Sequence, residues 1–281
     1  MRAVGIILAG GKRNQAGVLT RQRNLAAMPI GGSYRAIDFS LSNLSNSGIK
    51  KVAIISQYNT RSLADHTVSS KWWDFGRKNS GLFLFTPHMT NMDGFGFRDT
   101  ADGIYQNIEF LKKSNEPYVV ITSGDQVYRM DFDKIIKYHE DKKADITIIC
   151  KDFGHYDLED FGVVGINEDC RIIDFEEKPL NPQYTIASLG IYVIGRELLI
   201  KLIDQNEGEG RYSIVNDIIV RYRRKLNMYA YLFDDYWKRI RNINEFYQIN
   251  MDFLSEDIRN QFFSTYPYIS TKAKDEPPAK F

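Results

Sequence analysis

The sequence has little cysteine and almost no net charge. Its 281 residues include two cysteines, Cys150 and Cys170, and neither lies in a CxxC or zinc-ligand spacing, which excludes a disulfide framework and suits a reducing cytosol. The 37 basic and 36 acidic residues leave a net charge of +1, so no overall field attracts nucleic acid or an anionic membrane. The longest apolar runs are far shorter than the ~20 residues that span a bilayer. We therefore expect a cytoplasmic protein that binds neither nucleic acid nor membrane, and whose anion sites are local.

What the sequence does contain is a repeated alternation of apolar runs with helix-like segments. Runs of strand length occupy residues 4–8, 51–57, 118–122 and 145–150. This alternation predicts an α/β fold, with a mostly parallel sheet and helices on both faces. From residue 161 the apolar residues alternate and the chain turns at residues 167–169, which predicts an antiparallel hairpin laid against the sheet.

Two helix starts are predicted from capping residues. Asp38 is expected to cap a helix over residues 39–47, with Gly48 just past its end. Thr100 is expected to cap a helix over residues 101–113.

Three short motifs lie beyond predicted strands, where ligands bind in an open parallel sheet. LAGGKRNQAG follows the first strand, and the turn at Gly10 and Gly11 exposes N–H groups that can hold phosphate, although a plain strand-to-helix turn also explains it. TSGDQVY places Asp125 at another strand end, where a carboxylate either holds Mg²⁺ or caps a turn. FEEKP contains Lys178, which is either a phosphate ligand or a solvated strand end.

Placed in order, nine segments of the chain closely resemble the sugar-phosphate nucleotidylyltransferases, and among them the glucose-1-phosphate adenylyltransferase family: LAGG, GGSYRAIDFSLSN, SGIKKVAIISQYN, TADGIYQN, SGDQVY, FGVV, EEKP, SLGIYVI and DDYW. The resemblance implies a Rossmann-like sheet with an antiparallel sugar-binding extension, the nucleotide-diphospho-sugar transferase type. It implies one nucleotidyltransferase-like domain over residues 1–263. Residues 264–281 would then be a linker towards a carboxyl-terminal left-handed β-helix domain, of which the sequence shows no repeat.

The resemblance implies transfer of AMP from ATP to glucose 1-phosphate, with release of pyrophosphate and with Mg²⁺ as the cofactor. Matching positions carry over one by one. For nucleotide binding they are Gly10, Gly11, Gln57, Gly124 and Asp125, and Asp125 is also the metal ligand. For the sugar phosphate they are Glu177, Lys178, Ser188 and Gly190.

The chain departs from the family pattern at three positions that the resemblance assigns to catalysis, so no catalytic residue among them is intact. Gln15 replaces the catalytic arginine, and Leu25 replaces a lysine that contacts phosphate. In YWKRIRN, Arg239 replaces the second metal-binding aspartate, and Arg241 replaces a glycine. A positive charge at position 239 should repel a dication, so we expect Asp125 to be a vestigial ligand and Mg²⁺ not to bind normally.

These losses, together with the resemblance, predict a regulatory, non-catalytic subunit of glycogen biosynthesis. It would assemble with a catalytic glucose-1-phosphate adenylyltransferase subunit into a hetero-oligomer and change that subunit's activity. We also expect it to bind a sugar phosphate or a nucleotide, with Arg239 in place of the metal as a phosphate partner. Two alternatives stay open: a working adenylyltransferase with unusual residues, and a stand-alone sugar-nucleotide sensor.

Overall fold

The computed structural model describes residues 3–10, 14–76, 81–87, 96–154 and 158–273. Within these ranges the strands are β1 (Ala3–Leu8), β2 (Pro29–Ile30), β3 (Tyr34–Arg35), β4 (Lys51–Ile55), β5 (Gly81–Phe85), β6 (Tyr118–Ser123), β7 (Gln126–Tyr128), β8 (Ile146–Asp152), β9 (Gly162–Ile166), β10 (Ile172–Glu177), β11 (Ile186–Gly195), β12 (Met228–Leu232) and β13 (Trp237–Arg239). The α-helices are α1 (Ala36–Asn46), α2 (Thr60–Thr67), α3 (Thr100–Tyr105), α4 (Ile108–Lys112), α5 (Phe132–Asp141), α6 (Arg196–Gly208), α7 (Ile243–Asp252) and α8 (Glu256–Arg259). Short 3₁₀ segments lie at Asn14–Thr20, Leu25–Ala27 and Ser70–Trp73, and π-helical segments lie at Ile214–Val220 and Asn260–Ser264.

Nine of the described strands form one sheet. Its path runs β10, β9, β11, β6, β1, β4, β5, with β8 joined to β11 and β12 joined to β8. β1 pairs in parallel with β4 and β6, β4 with β5, and β8 with β12. β11 runs antiparallel to β6 and β8, and β9 and β10 form an antiparallel hairpin that turns at residues 167–169. The predicted α/β sheet with an antiparallel extension is therefore confirmed.

The central strands are buried on both faces, because helices cover each side of the sheet. In β1, Ile7 faces a core shared with α1 and α5, whereas Val4 and Ile6 face a core shared with α3, α4 and α6. Successive side chains of a strand point to opposite faces, so the uninterrupted apolar run of β1 fits this position. In the described part of the chain, no helix has the length and apolar character needed to cross a membrane.

Both predicted helix caps are wrong. α1 begins at Ala36 rather than after Asp38, and Asp38 accepts a hydrogen bond from Arg35 N at 2.8 Å from inside the first turn. The carboxylate of Asp99 rather than the side chain of Thr100 caps α3. The helix predicted over 101–113 is divided at Asn107, whose Nδ2 donates to the carbonyl oxygen of Gly103 at 2.9 Å. Short polar side chains compete with the helix for backbone partners in this way.

A third core lies between α1 and the helices near the end of the described chain. The ring of Phe39 packs against Phe253 and Phe262, with centroids 6.1 and 5.5 Å apart. The predicted linker over residues 264–281 lies partly outside the described residues, and its described part packs on α1. There Ser270 N donates to Ser42 Oγ at 2.9 Å.

Candidate functional site

A cleft of about 570 Å³ lies at the carboxyl ends of β1, β4 and β6, between these strands and the β9–β10 hairpin. Most residues singled out from the sequence line it: Gly10, Leu25, Gln57, Asp125, Glu177, Lys178, Ser188, Gly190 and Arg239. Gly11 and the side chain of Gln15 lie outside the described residues. The fold therefore brings the two predicted binding sets together at the edge where an open parallel sheet binds ligands.

The Gln57 side chain connects two loops at the carboxyl ends of β1 and β4, one containing Gly10 and the other Phe97. Its Nε2 donates to the carbonyl oxygen of Gly10 at 3.2 Å, and its Oε1 accepts from Phe97 N at 2.6 Å. Gly96 has φ +108°, and a Cβ there would lie 2.8 Å from Gln57 Oε1, so the loop needs glycine at this point. Each end of the amide makes one hydrogen bond among the described residues, and its second N–H and second lone pair can still bond a ligand. The predicted adenine contact stays a prediction.

The wall at Leu25 is apolar and carries no charge. Leu25 is 9% exposed and packs in the third core while one side faces the cleft. The preceding Asn24 fixes this segment, since its Nδ2 donates to the carbonyl oxygen of Ala9 at 2.9 Å. Gly124 allows the close approach, because a Cβ there would lie 2.8 Å from Ala26 Cβ. The role of Gly124 seen in the structure is thus one of packing beneath the cleft.

Asp125 and Arg239 form an ion pair on the cleft floor. Arg239 Nε donates to Asp125 Oδ2 at 3.2 Å, and the two side chains are 23% and 9% exposed. Asp125 Oδ1 accepts from Ser123 Oγ at 2.5 Å. β13 pairs with β7 so that Arg239 lies opposite Gln126, and Ile240 N donates to the Asp125 carbonyl oxygen at 2.9 Å. The position of Arg239 is therefore fixed by backbone pairing as well as by charge.

The residues at this position do not fit a divalent cation. Mg²⁺ is bound through carboxylate and phosphate oxygens, whereas Asp125 Oδ2 is bonded to a guanidinium and Asp125 Oδ1 to a hydroxyl. Among the described residues, no group of three or more His, Cys, Asp or Glu side chains is arranged to hold a metal. The guanidinium of Arg239 occupies the place beside the Asp125 carboxylate.

Glu177 and Lys178 end β10 at the opposite wall of the cleft. Burial raises the pKa of the Glu177 carboxyl above its ordinary value, and the nearby Lys178 and Arg239 oppose that rise. Lys178 has φ +50°, an uncommon backbone conformation for a residue with a side chain, and its N–H donates to the Phe161 carbonyl oxygen at 2.9 Å. The carboxyl of Glu177 is thus a half-buried acceptor beside an exposed ammonium group.

Ser188 and Gly190 lie on a bulge of β11. The pairing of β11 with β8 shifts between Ser188 and Ile191, and Gly190 has φ +69°. Gly190 N donates to Ser188 Oγ at 3.2 Å. The bulge turns this part of β11 towards the cleft, as bulges near ligand sites do.

Gln126 is a buried cleft residue that the sequence reasoning missed. Its Nε2 donates to the Leu189 carbonyl oxygen at 2.7 Å, and its Oε1 accepts from Trp237 Nε1 at 3.2 Å. One amide therefore joins the β11 bulge to β13, which carries Arg239. The sequence signal that could have indicated Gln126 is its position directly after Asp125, at the end of a predicted strand.

Arg98 is a second residue missed from the sequence, and it lies on another wall of the cleft. Its Nη2 donates to Asp102 Oδ1 at 3.1 Å, and its Nη1 donates to Tyr212 Oη at 2.5 Å. The guanidinium also lies 3.8 Å from the centroid of the Tyr212 ring. Nothing in the local sequence links residues 98 and 212, so this pair depends on the tertiary fold.

Arg241 links the start of α7 to the loop that precedes β9. Its Nε donates to Glu245 Oε1 at 2.7 Å and its Nη1 to Asp160 Oδ2 at 3.1 Å. Its guanidinium lies 5.0 Å from the centroid of the Phe161 ring. Arg241 is therefore paired with two acidic side chains, Glu245 and Asp160, at the rim of the cleft.

Comparison with known proteins gives consistent results. Residues 4–256 match a family model described as nucleotidyl transferase. The chain is 38% identical over 284 residues to a glucose-1-phosphate adenylyltransferase of Clostridium perfringens, covering 99% of this chain and 72% of that protein. The corresponding protein of Thermotoga maritima is 36% identical over 280 residues, covering 98% of this chain and 66% of that protein. A crystal structure from Bacillus anthracis, described as a glucose-1-phosphate thymidylyltransferase with sucrose, matches with a TM-score of 0.71 at 20% identity, covering 89% of this chain and 94% of that one.

Proposed function

The chain belongs to the glucose-1-phosphate adenylyltransferase family of nucleotidyl transferases, and we propose that it is a catalytically impaired, regulatory member of that family. Working members transfer AMP from ATP to glucose 1-phosphate and release pyrophosphate. That reaction brings two anions together, so it depends on cations placed around the phosphates. The cleft of this chain is lined by Glu177, Lys178, Ser188 and Gly190, the positions that the resemblance assigns to the sugar phosphate, and by Leu25 and Arg239 where it assigns a lysine and an aspartate.

The observation that carries the proposal is the ion pair between Asp125 Oδ2 and Arg239 Nε at 3.2 Å. A dication beside Asp125 would lie next to a fixed guanidinium. Like unit charges ~4 Å apart repel by about 4 kcal/mol at an effective dielectric constant near 20, and a dication doubles this. The expected result is a site at which Mg²⁺ does not organise the phosphates.

Leu25 supports the same proposal from another element. It lines the cleft with an apolar, almost fully buried side chain at the position where the resemblance places a lysine. Loss of one charge-stabilising donor typically lowers turnover ~10²- to 10³-fold. The change at Leu25 and the change at Arg239 lie on different parts of the chain, so their effects should combine.

A family member with a ligand cleft and impaired chemistry acts most simply through a partner. We propose a catalytic glucose-1-phosphate adenylyltransferase as that partner, in a hetero-oligomer that serves glycogen biosynthesis. Ligand binding in this cleft would change the partner's activity only if the two states of the assembly bind the ligand with different affinity. A stand-alone sugar-nucleotide sensor would show ligand binding and no such partner.

The test is co-expression with a catalytic homologue from the same genome. The proposal predicts that the two chains co-purify, and that the partner's apparent affinity for glucose 1-phosphate or its maximal rate changes in the complex. The matched control is the same catalytic chain purified alone at equal concentration. No co-purification and unchanged kinetics would contradict the proposal.

A further inference from the structure

The guanidinium of Arg239 has free hydrogen-bonding capacity that faces the cleft. Within the described ranges its Nε is bonded, to Asp125 Oδ2. Neither Nη1 nor Nη2 has an acceptor among the described residues, and the side chain is 23% exposed at the cleft floor. Its charge also acts on Glu177 across the cleft. The guanidinium is therefore fixed at Nε by Asp125, and its two Nη groups have no bond to the residues that the structure describes.

Lys178 is a second cation of the cleft, and its ammonium group has no partner in the described part of the chain. It is exposed, and its Nζ forms no hydrogen bond or ion pair there. Its backbone is fixed by the bond from Lys178 N to the Phe161 carbonyl oxygen at 2.9 Å. By contrast, the guanidinium of Arg98 is already bonded to Asp102 and Tyr212.

These features define a site for an anion that also carries hydroxyl groups. We propose that Arg239 is an anion ligand which binds, through its Nη fork, the phosphate of a sugar phosphate without any divalent cation. A planar guanidinium binds two phosphate oxygens in bidentate fashion, so it needs no metal ion to bind a phosphate group. Lys178 supplies the second positive charge, and the Glu177 carboxyl and Ser188 hydroxyl are acceptors for sugar hydroxyls.

The charge balance favours a phosphate monoester over a nucleoside triphosphate. Asp125 neutralises part of the Arg239 charge, and Leu25 adds none. Lys178 and the partly neutralised Arg239 match one phosphate group, whereas a triphosphate brings more negative charge than they balance. The inference rests on the proposed function, since it assigns a metal-independent ligand to the same impaired cleft.

The experiment is calorimetric titration of the whole chain with glucose 1-phosphate, in excess EDTA and separately in Mg²⁺. The expected result is equal affinity in both buffers. Arg239→Gln should weaken binding about 10- to 100-fold, the range for one charge-assisted pair, and Arg239→Lys should weaken it less. Lys238→Gln is the matched control, since it removes the same charge from the adjacent residue of β13, whose Nζ pairs with Asp252 rather than the cleft. Its affinity should stay within about 2-fold of wild type.

Several results would overturn the inference. They are binding that EDTA abolishes, no binding in either buffer, or an Arg239→Gln variant that unfolds like wild type and binds equally well. Tighter binding of ATP than of glucose 1-phosphate in EDTA would overturn the assignment to a sugar phosphate. Rapid pyrophosphate release by the chain would instead overturn the proposed function, so the two failures are distinguishable.

Discussion

Gln126 Nε2 lies 2.7 Å from the Leu189 carbonyl oxygen, and this hydrogen bond joins β7 to the bulge of β11. The same amide accepts from Trp237 Nε1 at 3.2 Å. Gln126 is fully buried, so both partners depend on it rather than on water. The bulge of β11 and the strand that carries Arg239 are thus held together by one side chain.

Gln126→Met should lower the free energy of unfolding by about 2–4 kcal/mol, because two buried polar groups lose their partner. Urea unfolding measures this. Gln248→Met, on an exposed face of α7, is the control and should change stability by less than about 0.5 kcal/mol. Equal stability of the two variants would show that Gln126 does not hold the bulge.

Gly190→Ala tests the bulge itself. Gly190 has φ +69°, where a side chain is strained, so the substitution should cost about 1–3 kcal/mol of unfolding free energy. Gly208→Ala is the matched control, because nothing lies within 4 Å of its added Cβ at the end of α6. That variant should be neutral or gain up to about 1 kcal/mol. Thermal or urea unfolding of the two variants measures this difference in stability. A Gly190→Ala protein as stable as the Gly208→Ala control would contradict the strained geometry at Gly190.

Stability should depend on pH through Glu177, whose pKa is raised mainly by burial. A carboxyl with a raised folded pKa binds its proton more tightly in the folded state, so it favours folding as the pH falls and opposes folding once ionised. Glu177→Gln should therefore be more stable than wild type at pH 7.5. The difference should shrink as the pH falls through the raised value towards the ordinary 4.5. Urea unfolding at several pH values measures it, and a difference that grows on acidification has the wrong sign.

Arg241→Gln should weaken the link between α7 and the loop that precedes β9, since Arg241 bonds both Glu245 and Asp160 and lies against the Phe161 ring. We expect a loss of about 1–2 kcal/mol of unfolding free energy. Arg211→Gln is the comparison, because Arg211 also pairs with two acids but is 47% exposed. Such exposed pairs contribute about 0–1 kcal/mol. A larger loss for Arg211→Gln would contradict the role given to Arg241.

Much of the fold follows from the local sequence pattern, whereas the helix caps also depend on tertiary contacts. The apolar runs that became β1, β4, β6 and β8 are long and bounded by turn residues, so their strand character is evident from sequence. The caps were missed because Asp38 bonds Arg35 N and His66 Nε2 from inside the helix, which only the tertiary structure reveals. β5 was also not predicted from the sequence.

The sequence placed most of its candidate residues at the cleft, but it missed Gln126 and Arg98 and gave none of the hydrogen bonding. The order of the motifs along the chain placed Asp125 and Arg239 at one site and indicated that Arg239 repels a metal ion. It did not indicate the direct hydrogen bond between Arg239 and Asp125. Gln57 was assigned to a ligand, whereas its amide bridges Gly10 and Phe97 through a loop that is distant in sequence. Such contacts depend on loop geometry rather than on periodicity or motif.

Restoring the missing groups tests whether the scaffold is otherwise competent. The triple variant Gln15→Arg, Leu25→Lys and Arg239→Asp should release pyrophosphate from ATP and glucose 1-phosphate in a Mg²⁺-dependent manner. The double variant that keeps Arg239 should stay much less active, since the guanidinium still occupies the place beside Asp125. Equal activity of the double and triple variants would show that Arg239 does not impair the metal site.

The central claim is that this chain alone does not carry out the adenylyl transfer of its family. The most direct measurement is pyrophosphate release from ATP and glucose 1-phosphate in Mg²⁺ by the purified chain, with a catalytic family member assayed in parallel. The ion pair of Asp125 with Arg239 predicts no release above the enzyme-free blank, even at high protein concentration. Mg²⁺-dependent release at a rate near that of the catalytic relative would contradict the claim.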